Sequence, residues 1–429
     1  MRATLARAER STPGRIREVQ ERRLRLLVRL VAARSNFYRR WFHESGVDPS
    51  SIRTLDDLHR LPLIGREELM AAPEDFAVIP PGLMWPSMSS GTAGRPVKVY
   101  RTAGSSAYEQ AALQRQWGWF GLRRGARRVV LRGTPFLEGN GPTLNVPGDR
   151  RLLVSSFHLT EATLPQILQQ IRAFGAEAVE GWPSSLALLA RLLDHAGERL
   201  PLTAVITSSE EMGRAQRQLL STVYEAPIVD HYGQTERVTL AGGCEHSGYH
   251  LFTDYGITEL LPLPGGEGRS EIVGTALHNF GFPLLRYRTG DEVGPAPAEP
   301  CPCGRPFPLM GALSGRVEES FTAADGRVIP LPSTVVDDLE GLAEVQIVQL
   351  GRGRFEIRAV PGPTFDGHTV RARALRNVEE LMGPGQDVTF TVVSRIERSG
   401  SGKLRSVVVK VDESAVGDHV FAREGDPAR

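Results

Sequence analysis

The chain has 429 residues, 41% of them hydrophobic and 24% charged, and its 51 Lys and Arg nearly balance its 50 Asp and Glu. That length admits a large core in two or three domains. Near-neutrality argues against nucleic acid and against an anionic membrane as partners, because both select a strong basic excess. Three cysteines are too few for a disulfide framework. No stretch is apolar enough to cross a bilayer and the arginine-rich N-terminus lacks a secretory pattern, so a reducing, cytoplasmic setting is expected.

Residues 15–40 are basic and place Leu24, Leu27, Val28 and Val31 on one helical face. This predicts a helix packed on a core with its arginines in water; a membrane-surface helix is the alternative. "LDDLHRLPLIGREELM" predicts two short helices around a proline turn. Strand-like runs at 127–133, 204–210 and 226–233 then alternate with helical stretches at 163–174 and 184–196, which predicts an α/β body with parallel strands. Beyond Gly315 the texture changes to short strands around one helix at 368–382, a small α+β module. The expected domains are therefore 1–315 and 316–429.

Four loops carry chemistry. "SMSSGTAGRPVKVY" (87–100) is rich in small residues and hydroxyls. Its backbone N–H groups and Ser89, Ser90 and Thr92 would suit an anion, although the Gly-Lys-Ser/Thr ending of a Walker loop is missing. "DHYGQTERV" (230–238) follows a strand. There Glu236 suits a Mg²⁺ ion, Thr235 a phosphate and Tyr232 a stacked base. "FPLLRYRTGDEV" (282–293) reads as an apolar strand ending in Thr-Gly-Asp. Asp291 at such an end suits the two hydroxyls of a ribose, while a turn-capping aspartate is the plainer reading. "SGKLRSVVV" (401–409) puts Lys403 on a glycine turn entering a strand, which alone says little.

Taken in order, these motifs resemble those of the adenylate-forming superfamily, and more closely the phenylacetate–CoA ligase family. "SSGTAGRP" is similar to its pyrophosphate loop, "YGQTE" to its Tyr-Gly-x-Ser/Thr-Glu motif and "YRTGD" to its ribose motif. "GRVEE" is similar to its hinge, and "SGKL" to its C-terminal lysine motif. The opening "SNFYRRWFHESGVDPSSIRTLDDLHRLPLIGREEL" and "WPSSL" (182–186) resemble it too, so the likeness spans nearly the whole chain. The resemblance implies a large N-terminal α/β domain of adenylate-forming type with a small mobile α+β C-terminal domain. It implies that ATP and Mg²⁺ activate a small, aromatic carboxylic acid as its acyl-AMP, which is then transferred to CoA. Ser89, Ser90, Gly91, Thr92 and Gly94 would hold the departing phosphates. Tyr232, Gly233 and Thr235 would line the nucleotide, Glu236 would ligate Mg²⁺ and Asp291 would hold the ribose. Arg316 would approach the sugar from the hinge, Glu318 would be the pivot, and Lys403 would bridge carboxylate and α-phosphate. Phe136, Trp182 and Tyr232 would suit an aryl or arylacetic acid, or would simply be core.

One departure matters. Past the hinge the family has a Gly-Val-Asn-Val-Phe-Pro-like stretch beside the pantetheine path, whereas this chain reads "ESFTAADGRVIPLPSTV". An amine or hydroxyl acceptor is therefore a second reading beside CoA. A non-catalytic nucleotide-binding scaffold would be expected to lack Glu236, Asp291 or Lys403, and all three are present. A homodimer is compatible with all of these readings.

The cysteines form a further candidate site. "CPCG" (301–304) and the upstream "CEHSGYH" (244–250) would let Cys244, Cys301, Cys303 and one histidine close over a structural Zn²⁺. The resemblance points to His250 as the fourth ligand, while spacing leaves His246 open.

Overall fold

The N-terminal helices start where local chemistry tells them to. Thr12 caps the helix Pro13–Arg34, its hydroxyl accepting from the Arg15 N–H at 3.3 Å, with proline in the first turn. Ser35 ends that helix and caps the next, Asn36–Ser45. Leu24, Leu27, Val28 and Val31 are buried in one cluster with Tyr38, Phe42, Phe76, Leu285 and Tyr287. The basic stretch is thus a core helix, and no helix among the described residues is long and apolar enough to cross a membrane. "LDDLHRLPLIGREELM" forms a 3₁₀ helix, Leu55–Arg60, and a short α-helix, Arg66–Ala71, around Pro62.

The structure is a computed structural model that describes residues 2–88, 97–132, 141–146, 148–210, 212–246, 248–263, 268–316, 321–326, 328–329, 335–336, 339–362, 364–397 and 404–410. These residues form two compact units, one running through residue 316 and the other beginning at residue 321.

The first unit is organised by a nine-stranded sheet. Its spatial order is Leu309–Met310, Tyr249–Leu251, Leu240–Gly243, Ile228–Gly233, Ala204–Ser208, Ala178–Gly181, Arg128–Arg132, Arg151–Ser155 and Thr143–Val146. The run from Ile228–Gly233 to Arg151–Ser155 is parallel, and antiparallel strands flank it on both sides. Side chains alternate between the two faces, as a strand requires. Val179 and Val205 pack with the helices Leu164–Phe174, Pro183–His195 and Arg214–Tyr224. Ala178, Ala204, Ile206 and Val229 pack with Trp117 of the helix Ala103–Trp119. Covered on both faces, the parallel strands read as near-continuous apolar runs. Their carboxyl ends, where such sheets take ligands, lie side by side: Gly181 pairs with Thr207, and Ser208 with His231.

A second, antiparallel sheet joins Gly256–Pro262, Ser270–Ala276, Tyr287–Val293 and Leu313–Arg316. It corrects the reading of 282–293 as an apolar strand ending in Thr-Gly-Asp. Phe282, Leu284 and Leu285 are buried coil, and the strand begins only at Tyr287. Asp291 lies inside it, opposite Arg316, at a register shift. The cause is Arg286, held at φ +45° by donation to both Glu259 oxygens (2.9–3.2 Å) and to the Leu61 carbonyl. Extended pairing cannot pass through that conformation.

The second unit is α+β. Leu342–Gly351 and Arg354–Pro361 form a hairpin, flanked in parallel by Val407–Val409 and Asp387–Val392. The helix Gly367–Met382 packs Val370, Ala374, Val378 and Met382 on Ile347, Phe355 and Ile357. Asp366 caps this helix, accepting from the N–H groups of His368 and Thr369.

Candidate active site and cysteine cluster

The strand Ile228–Gly233 opens into a turn closed by the Arg237 N–H donating to the Gln234 carbonyl at 3.1 Å. Here the structure brings two of the four motifs together. The Tyr232 hydroxyl donates to Asp291 Oδ2 at 2.7 Å, and the Tyr287 hydroxyl donates to Glu236 Oε1 at 3.2 Å. Each motif's tyrosine therefore holds the other motif's carboxylate. Tyr287 was not singled out in the sequence, although it opens "YRTGD". Tyr232, read as a stacking residue, is buried and tied through its hydroxyl to Asp291 and, at 3.4 Å, to the Gln234 amide.

Asp291 is also fixed from behind. Its N–H donates to Thr289 Oγ1 at 3.0 Å, and that hydroxyl donates to the Ile272 carbonyl at 2.8 Å. Gly290 between them stands at φ +72°, which suits glycine. Thr235, Glu236 and Gly233 are half-buried. The carbonyl of Thr235 accepts from Arg101 at 3.1 Å.

Several predicted residues lie outside the described residues: Ser89, Ser90, Gly91, Thr92 and Gly94, the lysine Lys403, the pivot Glu318, and Phe136. The strands on either side of the glycine loop, Trp85–Met88 and Lys98–Arg101, pair antiparallel, Met88 opposite Lys98. Only the backbone of Arg316 is described, and it pairs with Asp291. Trp182 stands at the cap position of the helix Pro183–His195.

Some residues of the site were missed. The strand read at 204–210 ends at Ser208; Ser209 takes φ +68°, and Glu210 turns back to accept from the Ser184 N–H (2.9 Å) and hydroxyl (3.1 Å). Glu109 pairs with Arg237, each side chain only 16% exposed. Burial pushes the Glu109 carboxyl above its ordinary range, against the pull of Arg237 and Arg101. Burial likewise lowers Arg101, with Arg237 adding to the effect. Only the fold pairs Glu109 with a residue 128 positions away.

The three cysteines converge with one histidine. The ligand atoms of Cys244, His250, Cys301 and Cys303 all lie within 4.8 Å of one another. Cys244 Sγ and Cys301 Sγ are 3.5 Å apart, too far for the ~2.05 Å bond of a disulfide. Cys303 Sγ lies 3.3 Å from His250 Nε2. His250 Nδ1 donates to the Phe307 carbonyl at 2.8 Å, leaving the Nε2 lone pair facing the sulfurs. Burial holds this imidazole below its ordinary value, so it is neutral at pH 7. His246 is not in the cluster; its backbone N–H donates to Cys244 Sγ at 3.4 Å.

The fold is that of the adenylate-forming CoA ligases. It superposes on 2-hydroxyisobutyryl-CoA ligase in the postadenylation state, in complex with an acyl-AMP, with a TM-score of 0.74 at 19% identity, covering 95% of this chain and 92% of that one. For an anthranilate CoA ligase in complex with anthranoyl-AMP the TM-score is 0.53 at 16% identity, covering 76% and 67%. In sequence the chain is a relative of the phenylacetate–coenzyme A ligases. It is 27% identical to that of Thermus thermophilus over 433 residues, covering 92% of this chain and 96% of the relative. It is 26% identical to that of Pseudomonas putida over 345 residues, covering 77% of each. No family model matches the chain.

Proposed function

We propose that the chain is an AMP-forming carboxylate ligase. It would join a small aromatic carboxylic acid to AMP, release pyrophosphate, and pass the acyl group to CoA. The observation that carries this reading is the crossed pair of hydrogen bonds, Tyr232 to Asp291 and Tyr287 to Glu236, at the carboxyl edge of the parallel sheet. The sequence relationship to phenylacetate–coenzyme A ligases supports both the aryl acid and the CoA acceptor.

A carboxylate is a poor electrophile, so one of its oxygens attacks the α-phosphorus of ATP. The bond to the bridging oxygen breaks and pyrophosphate leaves. In the second step the CoA sulfur attacks the acyl carbon, its proton is lost to solvent, and AMP departs. The protein's share of such chemistry is positioning and charge stabilisation. Asp291, aimed by Tyr232 and Thr289, accepts from the ribose hydroxyls. Thr235 touches the α-phosphate. Gly233 lets the chain lie close to the nucleotide. Glu236, steadied by Tyr287, suits Mg²⁺, a hard cation that takes oxygen ligands and shields phosphate charge. By resemblance, the loop containing Ser89, Ser90, Gly91, Thr92 and Gly94 holds the pyrophosphate. Arg316 reaches the sugar and Lys403 spans carboxylate and α-phosphate.

The cysteine cluster suits Zn²⁺. A tetrahedral zinc with bonds of about 2.0–2.3 Å spaces its ligands roughly 3.3–3.8 Å apart, the range in which the Cys244–Cys301 and Cys303–His250 pairs fall. With all four positions filled by protein, the ion has no open site for substrate and is structural.

Pyrophosphate release is the test, run with Mg-ATP and a panel of aryl, arylacetic and aliphatic acids, with and without CoA. Hydroxylamine traps the acyl-AMP. Acid-dependent release and CoA-dependent thioester are expected with aryl acids. Thioester formation replaced by amide or ester would transfer the reading to an amine or hydroxyl acceptor, and absence of release with every acid would overturn it.

A further inference from the structure

The turn that presents Thr235 and Glu236 is held from beneath by groups that the proposed chemistry does not use. Arg237 stands at φ +55°, a conformation an arginine keeps only where its surroundings over-determine it. Three groups do so. The Arg237 guanidinium pairs with Glu109, and its Nη1 donates to Ser106 Oγ at 3.4 Å, one turn earlier on the same helix. Its N–H closes the turn on the Gln234 carbonyl. From the strand leading into that helix, Arg101 donates to the Thr235 carbonyl.

The exit of the turn is locked as well. Val238 lies so close on the antiparallel sheet that a Cβ at Gly256 would stand 2.5 Å from its carbonyl oxygen. A Cβ at Gly274 would stand 2.5 Å from its Cγ2. With Arg237 drawn to the helix and Val238 fixed, Glu236 is left facing Tyr287.

We propose that Glu109, Arg237 and Arg101 are positioning residues. They aim the Thr235–Glu236 turn at the nucleotide and its magnesium without touching either. This rests on the adenylating reading above. Removing one partner of a buried ion pair leaves the other charge uncompensated and destabilises the fold, so a merely structural pair predicts a lower melting temperature with unchanged kinetics.

Wild-type pyrophosphate release tests the reading first and separately. Glu109→Gln keeps the shape and removes the charge. It should raise KM for Mg-ATP about tenfold and lower kcat, leaving KM for the acid within about twofold. Calorimetry with the magnesium complex of a non-hydrolysable ATP analogue should show the same loss of affinity, with a smaller loss for the metal-free analogue. Should circular dichroism show that Glu109→Gln does not fold, Arg237→Gly carries the test. Glycine adopts the required φ without strain and removes only the anchor. A folded variant with wild-type KM and affinity, or with equal losses toward acid and ATP, overturns the proposal. Should the wild type release no pyrophosphate, nucleotide affinity alone decides: loss in Glu109→Gln sustains the positioning role and unchanged affinity ends it.

Discussion

Tyr232 and Tyr287 do equivalent work in opposite directions, each donating to the carboxylate of the other's motif. A neutral donor to a charged acceptor contributes about 1.5–3 kcal/mol. Tyr232→Phe should therefore raise KM for ATP roughly 10-fold in steady-state pyrophosphate release. Asp291→Ala, which removes the proposed acceptor of the ribose itself, should cost at least as much. A separate effect belongs to His278, packed against Tyr255 and Tyr108, its Nδ1 donating to the Tyr255 carbonyl at 3.2 Å. Burial pushes its pKa down from 6.5 to about 3. The folded protein thus keeps it neutral where the unfolded chain takes up a proton. Its contribution to stability is complete above pH 6.5 and is lost as pH falls from 6.5 toward 3, by up to about 1.4 kcal/mol per pH unit. Melting temperatures between pH 7 and 5 should decline, and His278→Phe should flatten that slope.

At the scale of elements, the hairpin Leu240–Gly243 and Tyr249–Leu251 follows the turn that carries Thr235 and Glu236 and ends in the cysteine cluster. His231, Tyr232 and Gly233 pair with Gly242, Ala241 and Leu240, and these pair onward to His250 and Leu251. On the proposed zinc reading, Cys301→Ser should abolish zinc retention by elemental analysis and lower Tm by roughly 5–10 °C. Gly242 is a second weak point. A Cβ there would stand 2.6 Å from Gln116, whose amide donates to the carbonyls of Asp230 and Gly243, and 2.7 Å from Phe252. Gly242→Ala should cost about 1–3 kcal/mol in chemical denaturation. This is also the scale at which the sequence is most readable. Parallel strands buried on both faces announce themselves as apolar runs between helical periods, and Cys-x-Cys needs one upstream partner to suggest a metal. What stays hidden is pairing across distance. Nothing local in "AYEQ" marks Glu109 as the partner of Arg237, and the left-handed backbone at Ser209 and Arg286 follows from tertiary contacts that no short-range rule encodes. Those two errors of strand extent have one cause, since the strand is interrupted where a side chain at its end bonds to a distant partner, Glu210 to Ser184 and Arg286 to Glu259 and Leu61.

At the scale of the whole molecule, the two units have separate cores, one built on the nine-stranded sheet and one on four strands and a helix. Lys403, the residue proposed to bridge carboxylate and phosphate, lies outside the described residues, and Glu236 and Asp291 belong to the first unit. Lys403→Ala should nearly abolish pyrophosphate release while sparing thioester formation from supplied acyl-AMP. Equal loss in both half-reactions would remove the lysine from its assigned role.

The cysteine cluster also sets an order of events during synthesis. Cys244 and Cys301 are 57 residues apart, and the segment they enclose carries Asp291. A zinc ion held there as proposed would lack a ligand until Cys303 has left the ribosome. Until Met310 follows, the strand Tyr249–Leu251 lacks its outer neighbour. The far support of the Thr235–Glu236 turn is therefore among the last parts of the first unit to be completed. On the zinc reading proposed above, scarcity of the metal would first be felt during translation rather than in the finished protein.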